Sequence, residues 1–177
     1  MSWWWAVAAA VVLVILLYLR SLAGRLDRLH VRLEAAGAAL DAQLVRRSAA
    51  AAELAHAGLL DPASSLLLAD AAHEAQTASA EDPAHREVVE SELSSALRAA
   101  VDDEDVSDLA RTPHHALVDE LRSACQRVVL ARRFNNEAAR ATLRLRSRPL
   151  IKRLRLAGGA PWPRPFEMDD APPSALV

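Results

Sequence analysis

The chain has 177 residues with a formal net charge of −2, and hydrophobic residues make up 52% of it. With 5 glycines and one tyrosine it has little material for a β-rich fold, whereas its abundant alanine, leucine, arginine and glutamate favour helices. The single cysteine, Cys125, excludes an intramolecular disulfide and is consistent with a reducing compartment.

The N-terminal segment is the most apolar part of the chain. Residues 3–19, WWWAVAAAVVLVILLYL, carry no charge. As an α-helix they would cover roughly 26 Å, close to the ~30 Å hydrocarbon core of a bilayer. Tryptophan and tyrosine at the two ends suit the level of the lipid headgroups. We therefore predict a transmembrane anchor over residues 1–20.

Basic residues flank the apolar segment on one side only. Arg20, Arg25, Arg28 and Arg32 follow it, with Asp27 as the single acid among them, and no basic side chain precedes it. By the positive-inside tendency, the N-terminus faces outwards and the remaining chain is cytoplasmic, below the cell membrane. The alternative is a cleaved signal peptide. It is disfavoured by the missing basic n-region and by an apolar run longer than the usual h-region of about 7–15 residues.

A first long helix is predicted to continue from the anchor to about Gly58. Apolar residues recur at steps of mostly three and four along one stripe, at Leu22, Leu26, Leu29, Leu33, Ala36, Leu40, Leu44 and Ala51. Such a stripe needs a partner helix. Asp61 and Pro62 then provide an N-cap and a first helical residue, so a second helix is predicted from there to about Ala78.

The same start signal recurs twice further along the chain. Asp82 and Pro83 open a third helix, and Thr112 and Pro113 open a long fourth one. A short basic amphipathic turn begins at Pro149, and residues 158–177 are predicted to form a proline-rich, extended and mobile tail. The sequence thus predicts an all-α fold, with a transmembrane helix followed over residues 21–157 by an antiparallel four-helix bundle whose first and last helices are long.

Residues 41–47, DAQLVRR, resemble the D-x-Q-L-x-R-R signature of the bacterial LemA family, placed as in that family in the first helix after an N-terminal anchor. Residues 117–138 are similar to the family's E-L followed by A-R-x-x-Y-N-D-A, and residues 165–168, PFEM, to its closing F-E. The resemblance implies a membrane-anchored cytoplasmic four-helix bundle. It implies no reaction, because LemA proteins have no established activity.

The chain departs from the family pattern at its aromatic positions. Asn135 stands where the family usually has tyrosine, and Thr142 and Leu143 replace a second Tyr-Asn pair. A surface built on those aromatic residues is therefore not carried over to this chain.

The resemblance marks a set of candidate site residues in the first and fourth helices: Asp41, Gln43, Arg46, Arg47, Arg132, Asn135 and Asn136. Asn135 falls on the apolar stripe of the fourth helix, where a buried amide without partners costs roughly 1–3 kcal/mol. We expect it to bond Gln43 or Arg47 and so fix the helix register, with a ligand role as the alternative. Arg132, Arg47 and Glu120 are expected to form a partly buried polar layer.

Charge is distributed unevenly along the chain. Residues 140–155 contain no acid and seven basic side chains: Arg140, Arg144, Arg146, Arg148, Lys152, Arg153 and Arg155. Residues 81–120 carry twelve acids against three arginines. If the helices alternate in direction, the basic segment returns to the membrane, where each charge near an anionic leaflet is worth about 1 kcal/mol. We expect it to contact lipid rather than nucleic acid, and the acidic run 102–108 to form the distal tip.

No motif in the sequence carries catalytic chemistry. A glycine-rich phosphate loop, a G-x-S-x-G nucleophile and a zincin histidine pair are all missing, so neither an enzyme activity nor a cofactor or metal is predicted. The leading prediction is a membrane-tethered scaffold that presents a bundle face or the acidic tip to a protein partner. The alternative is a lipid-sensing regulator that works through residues 140–155.

Overall fold

The computed structural model describes residues 3–79, 81–101, 114–154, 158 and 160–176. These residues form α1 (Trp3–His56), α2 (Pro62–Thr77), α3 (Pro83–Ala100), α4 (His115–Arg146), α5 (Pro149–Arg153) and a 3-10 turn at Ser174–Leu176. No strand occurs within these ranges. The predicted all-α fold with long first and fourth helices is confirmed. The acidic run 102–108 and the predicted helix start at 112–113 lie outside the described residues.

Two helices begin at the caps that the sequence predicts. Asp61 Oδ1 accepts hydrogen bonds from the backbone N–H groups of Ala63 and Ser64, and Asp82 Oδ1 accepts one from His85 N–H at 3.1 Å. These bonds satisfy donors that have no partner inside the helix. The Ser64 side chain and the same N–H groups hold the pKa of Asp61 below its usual value.

The chain divides into two compact units. The first consists of Met1–Ala35 and Glu137–Pro165, and the second of Ala36–Asn136 and Phe166–Val177. Both α1 and α4 contribute to both units. The unit boundaries therefore fall inside these two helices. The domain limits at residues 20 and 157 stay a prediction.

In the second unit, four helices surround one core. Its buried side chains come from α1, α2, α3 and α4 and include Ala51, Leu54, Leu68, Ala72, Leu93, Leu97, Leu121 and Cys125. A smaller cluster joins Leu40 and Leu44 of α1 to Val128 of α4. Because later residues of α1 pair with earlier residues of α4, the two helices run antiparallel in this unit. Burial of each leucine contributes about 1.5–3 kcal/mol before the cost of ordering the chain.

In the first unit, the apolar start of α1 is exposed, whereas leucines further along the same helix are buried. Leu22 and Leu26 of α1 are buried against Leu145 of α4 and Ile151 of α5. All side chains of residues 3–18 are exposed. By its length and composition, α1 contains the one candidate membrane span found in the described part of the chain.

The C-terminal residues 166–176 contain no helix or strand apart from the 3-10 turn, and they contact the rest of the second unit. Met168 is buried with Leu40 and Leu44, and Leu176 is buried in the main core of the second unit. The expectation of a mobile tail overlooked these two apolar side chains, each of which fills a place between helices. A proline-rich composition does not show such isolated anchors.

Candidate functional site

A buried ion pair joins α1 to α3. The Arg47 Nη2 atom lies 2.7 Å from Glu90 Oε2, and the two residues are only 2% and 1% exposed. Arg47 also donates to the Glu90 carbonyl oxygen and to the Ser94 hydroxyl, each at 2.9 Å. Burial raises the pKa of Glu90, although the positive charge of Arg47 acts in the opposite direction. This arrangement fixes α3 against the first helix.

A second ion pair between the same two helices lies one helical turn earlier in α3. Arg86 Nη1 lies 3.0 Å from Asp41 Oδ1; Arg86 is buried and the Asp41 side chain is half exposed. Arg46, next to Arg47, is exposed. Asp41 and Arg47 of the 41–47 motif thus both contact α3.

The predicted bond between α1 and Asn135 does not form. Asn135 is buried, and its Nδ2 donates weakly to the Oδ1 of the neighbouring Asn136 at 3.4 Å. Gln43 Oε1 is buried without a hydrogen-bond partner among the described residues. Asn135 instead lies beside Gly37, where an added Cβ would stand 3.9 Å from its Oδ1. The register prediction was wrong because a helical stripe shows which face is buried and not which neighbour its polar groups meet.

Asn136 holds the tail through its backbone. Its Nδ2 donates to the Phe166 carbonyl oxygen at 3.0 Å, and its Oδ1 accepts from the Phe166 N–H at 2.7 Å. One amide side chain therefore satisfies both main-chain groups of a single residue. The second and third motifs of the LemA resemblance meet at this contact.

Two arginines bind the two acidic residues that follow Met168 in the C-terminal segment. Arg132 makes two parallel hydrogen bonds to Asp170, of 2.7 and 2.9 Å, and Arg98 donates to Asp169 at 2.6 Å. The backbone N–H of Ala171 and the side chain of Arg98 hold the pKa of Asp169 below its usual value. We call Asn136, Arg98 and Arg132 the tail clamp.

The expected polar layer of Arg132, Arg47 and Glu120 is not present. Arg132 pairs with the tail, Arg47 pairs with α3, and Glu120 lies 3.8 Å from Arg127 on its own helix. The layer was wrong because acidic partners from α3 and from the tail, Glu90 and Asp170, lie closer to these arginines.

Most of the predicted lipid-facing residues are exposed in the first unit. This group comprises Arg140, Arg144, Arg148, Lys152 and Arg153, while Arg155 lies outside the described residues. Arg146 is an exception because it is buried and donates to the carbonyl oxygens of Ala160 and Pro161. Its guanidinium also stacks 4.6 Å from the centroid of the Trp162 ring. Arg146 therefore holds the segment after α5 and is not available to lipid.

Apolar side chains are exposed beside these charges. Leu150 and Leu154 flank Lys152 and Arg153 in the chain, and they are 40% and 46% exposed. Trp162 is 56% exposed, and Lys152 Nζ lies 6.0 Å from its ring centroid. The region around α5 combines basic and apolar surface, a composition typical of segments that lie at a membrane interface.

The second unit has a groove between α2 and α3. This α2/α3 groove has a volume of about 390 Å³ and is lined by Leu67, Asp70, Ala71, Glu74, Glu92, Ser95, Ala96 and Ala99. Small side chains leave its floor open, while three carboxylates lie among the lining residues. Its apolar and acidic lining suits a segment that carries apolar and basic side chains.

The sequence analysis missed several residues of these contacts. Arg86, Glu90 and Ser94 lie beside the apolar stripe of α3, and Asp169 and Asp170 follow the F-E pair. The available signal was that these charged residues border the apolar stripe of α3 at Val89, Leu93 and Leu97. For Trp162, no periodic pattern points to its contact with Arg146.

Comparison with known proteins gave no match: no family model, no curated protein and no solved structure is similar to this chain.

Proposed function

We propose that this chain is a membrane-anchored scaffold of the LemA type that is held in a bacterial cell membrane by α1 and presents its helical domain to a cytoplasmic protein partner. The observation that carries the proposal is that every side chain of residues 3–18 is exposed. Apolar surface removed from water contributes about 25 cal/mol per Å², so these side chains would be strongly favoured in a hydrocarbon environment.

The contacts of the motif residues support the LemA assignment as a proposal. Asp41 and Arg47 pair with α3, and Asn136 binds Phe166, so residues of all three motifs have structural roles in the second unit. A structural role of this kind does not require the chain to catalyse a reaction. We propose accordingly that the chain has no catalytic activity and acts by binding.

The α2/α3 groove is the proposed partner surface. Its leucine and alanine side chains supply apolar contact, and Asp70, Glu74 and Glu92 supply negative charge. A partner segment with basic and apolar faces would complement both properties. The acidic run 102–108 remains a second candidate contact in the same scaffold proposal.

Crosslinking in living cells tests the groove. A photoreactive residue in place of Ala99, which is exposed and lines the groove, should capture a specific protein, whereas one in place of the exposed Val45 of α1 should not. Leu67→Asp should reduce the captured product. Leu66→Asp is the matched control, since Leu66 is 73% exposed and does not line the groove.

The outcome also separates the two candidate contacts. Equal loss of product from both leucine variants would contradict the groove as the contact surface. Capture from a probe at Glu104, but not from Ala99, would move the contact to the acidic run.

A second candidate function is lipid sensing through residues 140–155. It is favoured by the exposed Leu150, Leu154 and Trp162 beside Lys152 and Arg153. In the full chain reconstituted in nanodiscs, a fluorophore on Leu154→Cys should be quenched by brominated lipid when anionic lipid is present. Cys125 is buried and should not compete for the label. A fluorophore on Val45→Cys serves as the control, and equal quenching at both positions would contradict the proposal.

A further inference from the structure

An arginine-lined cavity lies between α1 and α4 in the first unit. It has a volume of about 300 Å³ and is lined by Arg25, Leu29, Ala141, Arg144, Leu145 and Arg148. Three of its six lining residues carry positive charge and none is acidic. Such a cavity brings like charges together, and an anion bound between them would reduce their mutual repulsion.

No carboxylate of the described residues lines this cavity. None of the ion pairs among the described residues includes Arg25, Arg144 or Arg148. Asp27 is two positions from Arg25 and therefore points away from it around the helix. Arg148 is the N-cap residue of α5, and its guanidinium, which has donors only, cannot accept hydrogen bonds from the N–H groups of that helix. No ion pair within the described residues therefore includes the three guanidinium groups, and Glu137, which lines a neighbouring cavity with Arg144, does not line this one.

The charge at the end of α4 has a partial explanation that does not require a ligand. Basic side chains near a helix C-terminus interact favourably with the partial negative charge there. This effect accounts for Arg144 in the last turn of α4. It does not account for Arg25, which comes from the middle of α1 and lines the same cavity.

The cavity lies close to the apolar segment along α1. Arg25 is six residues beyond Leu19, which corresponds to about 9 Å along a helix. The headgroup region of each leaflet is roughly 5–8 Å deep, and the long arginine side chain can extend back towards it. The apolar floor of Leu29, Ala141 and Leu145 is suited to the carbon atoms next to a phosphate group.

We propose that this cavity binds the phosphate group of an anionic phospholipid, with Arg25, Arg144 and Arg148 as its ligands. The proposal rests on the membrane placement put forward above and assigns the lipid contact to a defined site rather than to the whole basic segment. Guanidinium groups bind phosphate oxygens through paired, charge-assisted hydrogen bonds, which explains why arginine suits this position.

Native mass spectrometry of the detergent-solubilised full chain tests the site. Dioleoyl phosphatidic acid should bind with a stoichiometry of one, and dioleoyl phosphatidylcholine should bind more weakly. The combined variant Arg25→Gln, Arg144→Gln and Arg148→Gln should lose about tenfold or more in affinity for phosphatidic acid. All three residues are solvent-exposed, so the fold should be retained; far-UV circular dichroism checks this, and the single variant Arg148→Gln provides a milder test in the same direction.

A matched control removes the same charge from other positions. Arg20→Gln, Arg28→Gln and Arg32→Gln, all on α1 and outside the basic segment 140–155, alter exposed residues of the same unit that do not line this cavity. This variant should keep its affinity to within about twofold. Equal losses in both triple variants would overturn the site in favour of diffuse charge attraction.

Inorganic phosphate distinguishes the source of the anion. If it displaced phosphatidic acid at similar concentrations, the cavity would be a site for a soluble anion, and the lipid proposal would fail. Extraction of the chain from membranes by alkaline carbonate is a separate result, because it would refute the span itself. A retained span without a lipid preference would refute only the cavity.

Discussion

Replacing Arg47 with methionine should destabilise the second unit by about 3–5 kcal/mol, the usual cost of removing one member of a buried ion pair. The substitution leaves the Glu90 carboxylate buried without its closest positive charge. It also removes the donors to the Ser94 hydroxyl and to the Glu90 carbonyl oxygen. Methionine fills much of the arginine volume, so the loss should reflect charge and hydrogen bonding more than a cavity.

The loss should depend on pH in a defined direction. Burial raises the pKa of Glu90 above its ordinary value of 4.5, and removal of Arg47 should raise it further. A carboxyl group whose pKa rises on folding stabilises the fold fully below its unfolded pKa, and this contribution is lost as pH rises through the folded pKa. The Arg47→Met variant should therefore be impaired more at about pH 8 than at about pH 5.

Urea unfolding of the full chain in mild detergent, followed by far-UV circular dichroism, measures the change. Arg46→Met is the control, because Arg46 is adjacent in sequence but exposed; its effect should stay within about 0.5 kcal/mol. The double variant Arg47→Met and Glu90→Leu should recover much of the lost stability. A loss below about 1 kcal/mol for Arg47→Met would show that the pair is not desolvated and would refute this reasoning.

Three further predictions concern the tail and the orientation. Asn136→Ala should make residues 166–176 more susceptible to protease, whereas Asn135→Ala should not, because Asn135 makes no bond to the tail; equal cleavage of both variants would contradict the clamp. The backbone N–H of Ala171 and the side chain of Arg98 hold the pKa of Asp169 below 3.8. The contribution of Asp169 to the stability of the fold is therefore present above that pH, and it is lost as pH falls through the lower folded pKa. The Ala171 amide signal in NMR spectra should therefore shift only in that acidic range, and a shift near neutral pH would be inconsistent with this assignment. Protease added to intact protoplasts should leave the tail uncut, and digestion there would indicate the opposite orientation.

Local sequence signals predicted the helices well because those signals act over only a few residues. Asp61 with Pro62, and Asp82 with Pro83, determine where α2 and α3 begin through hydrogen bonds to the next backbone N–H groups. The apolar spacing of Val89, Leu93 and Leu97 likewise identifies the buried face of α3. Each of these features depends on the helix geometry alone.

Contacts between elements were harder to predict. Arg47 was expected to face α4, but Glu90 on α3 is its partner. Helical periodicity specifies the direction in which a side chain points from its own helix. Because two neighbouring helices can lie in similar directions, the periodicity does not show which of them the side chain contacts. The docking of Met168 depends on a single side chain in an extended segment, where no repeating pattern exists to reveal it.

The bond between Asn136 and Phe166 has a consequence for how this chain can change during evolution. The amide recognises the main-chain N–H and carbonyl oxygen of residue 166, which every amino acid except proline provides. Residue 166 is therefore free to vary in side chain without loss of these two bonds. Position 136 has no such freedom, because both bonds need the donor and the acceptor of the asparagine side chain at the correct distance from residue 166. The two hydrogen bonds therefore restrict residue 136, whereas residue 166 is restricted only by the packing of its side chain against the cluster of Leu40 and Leu44.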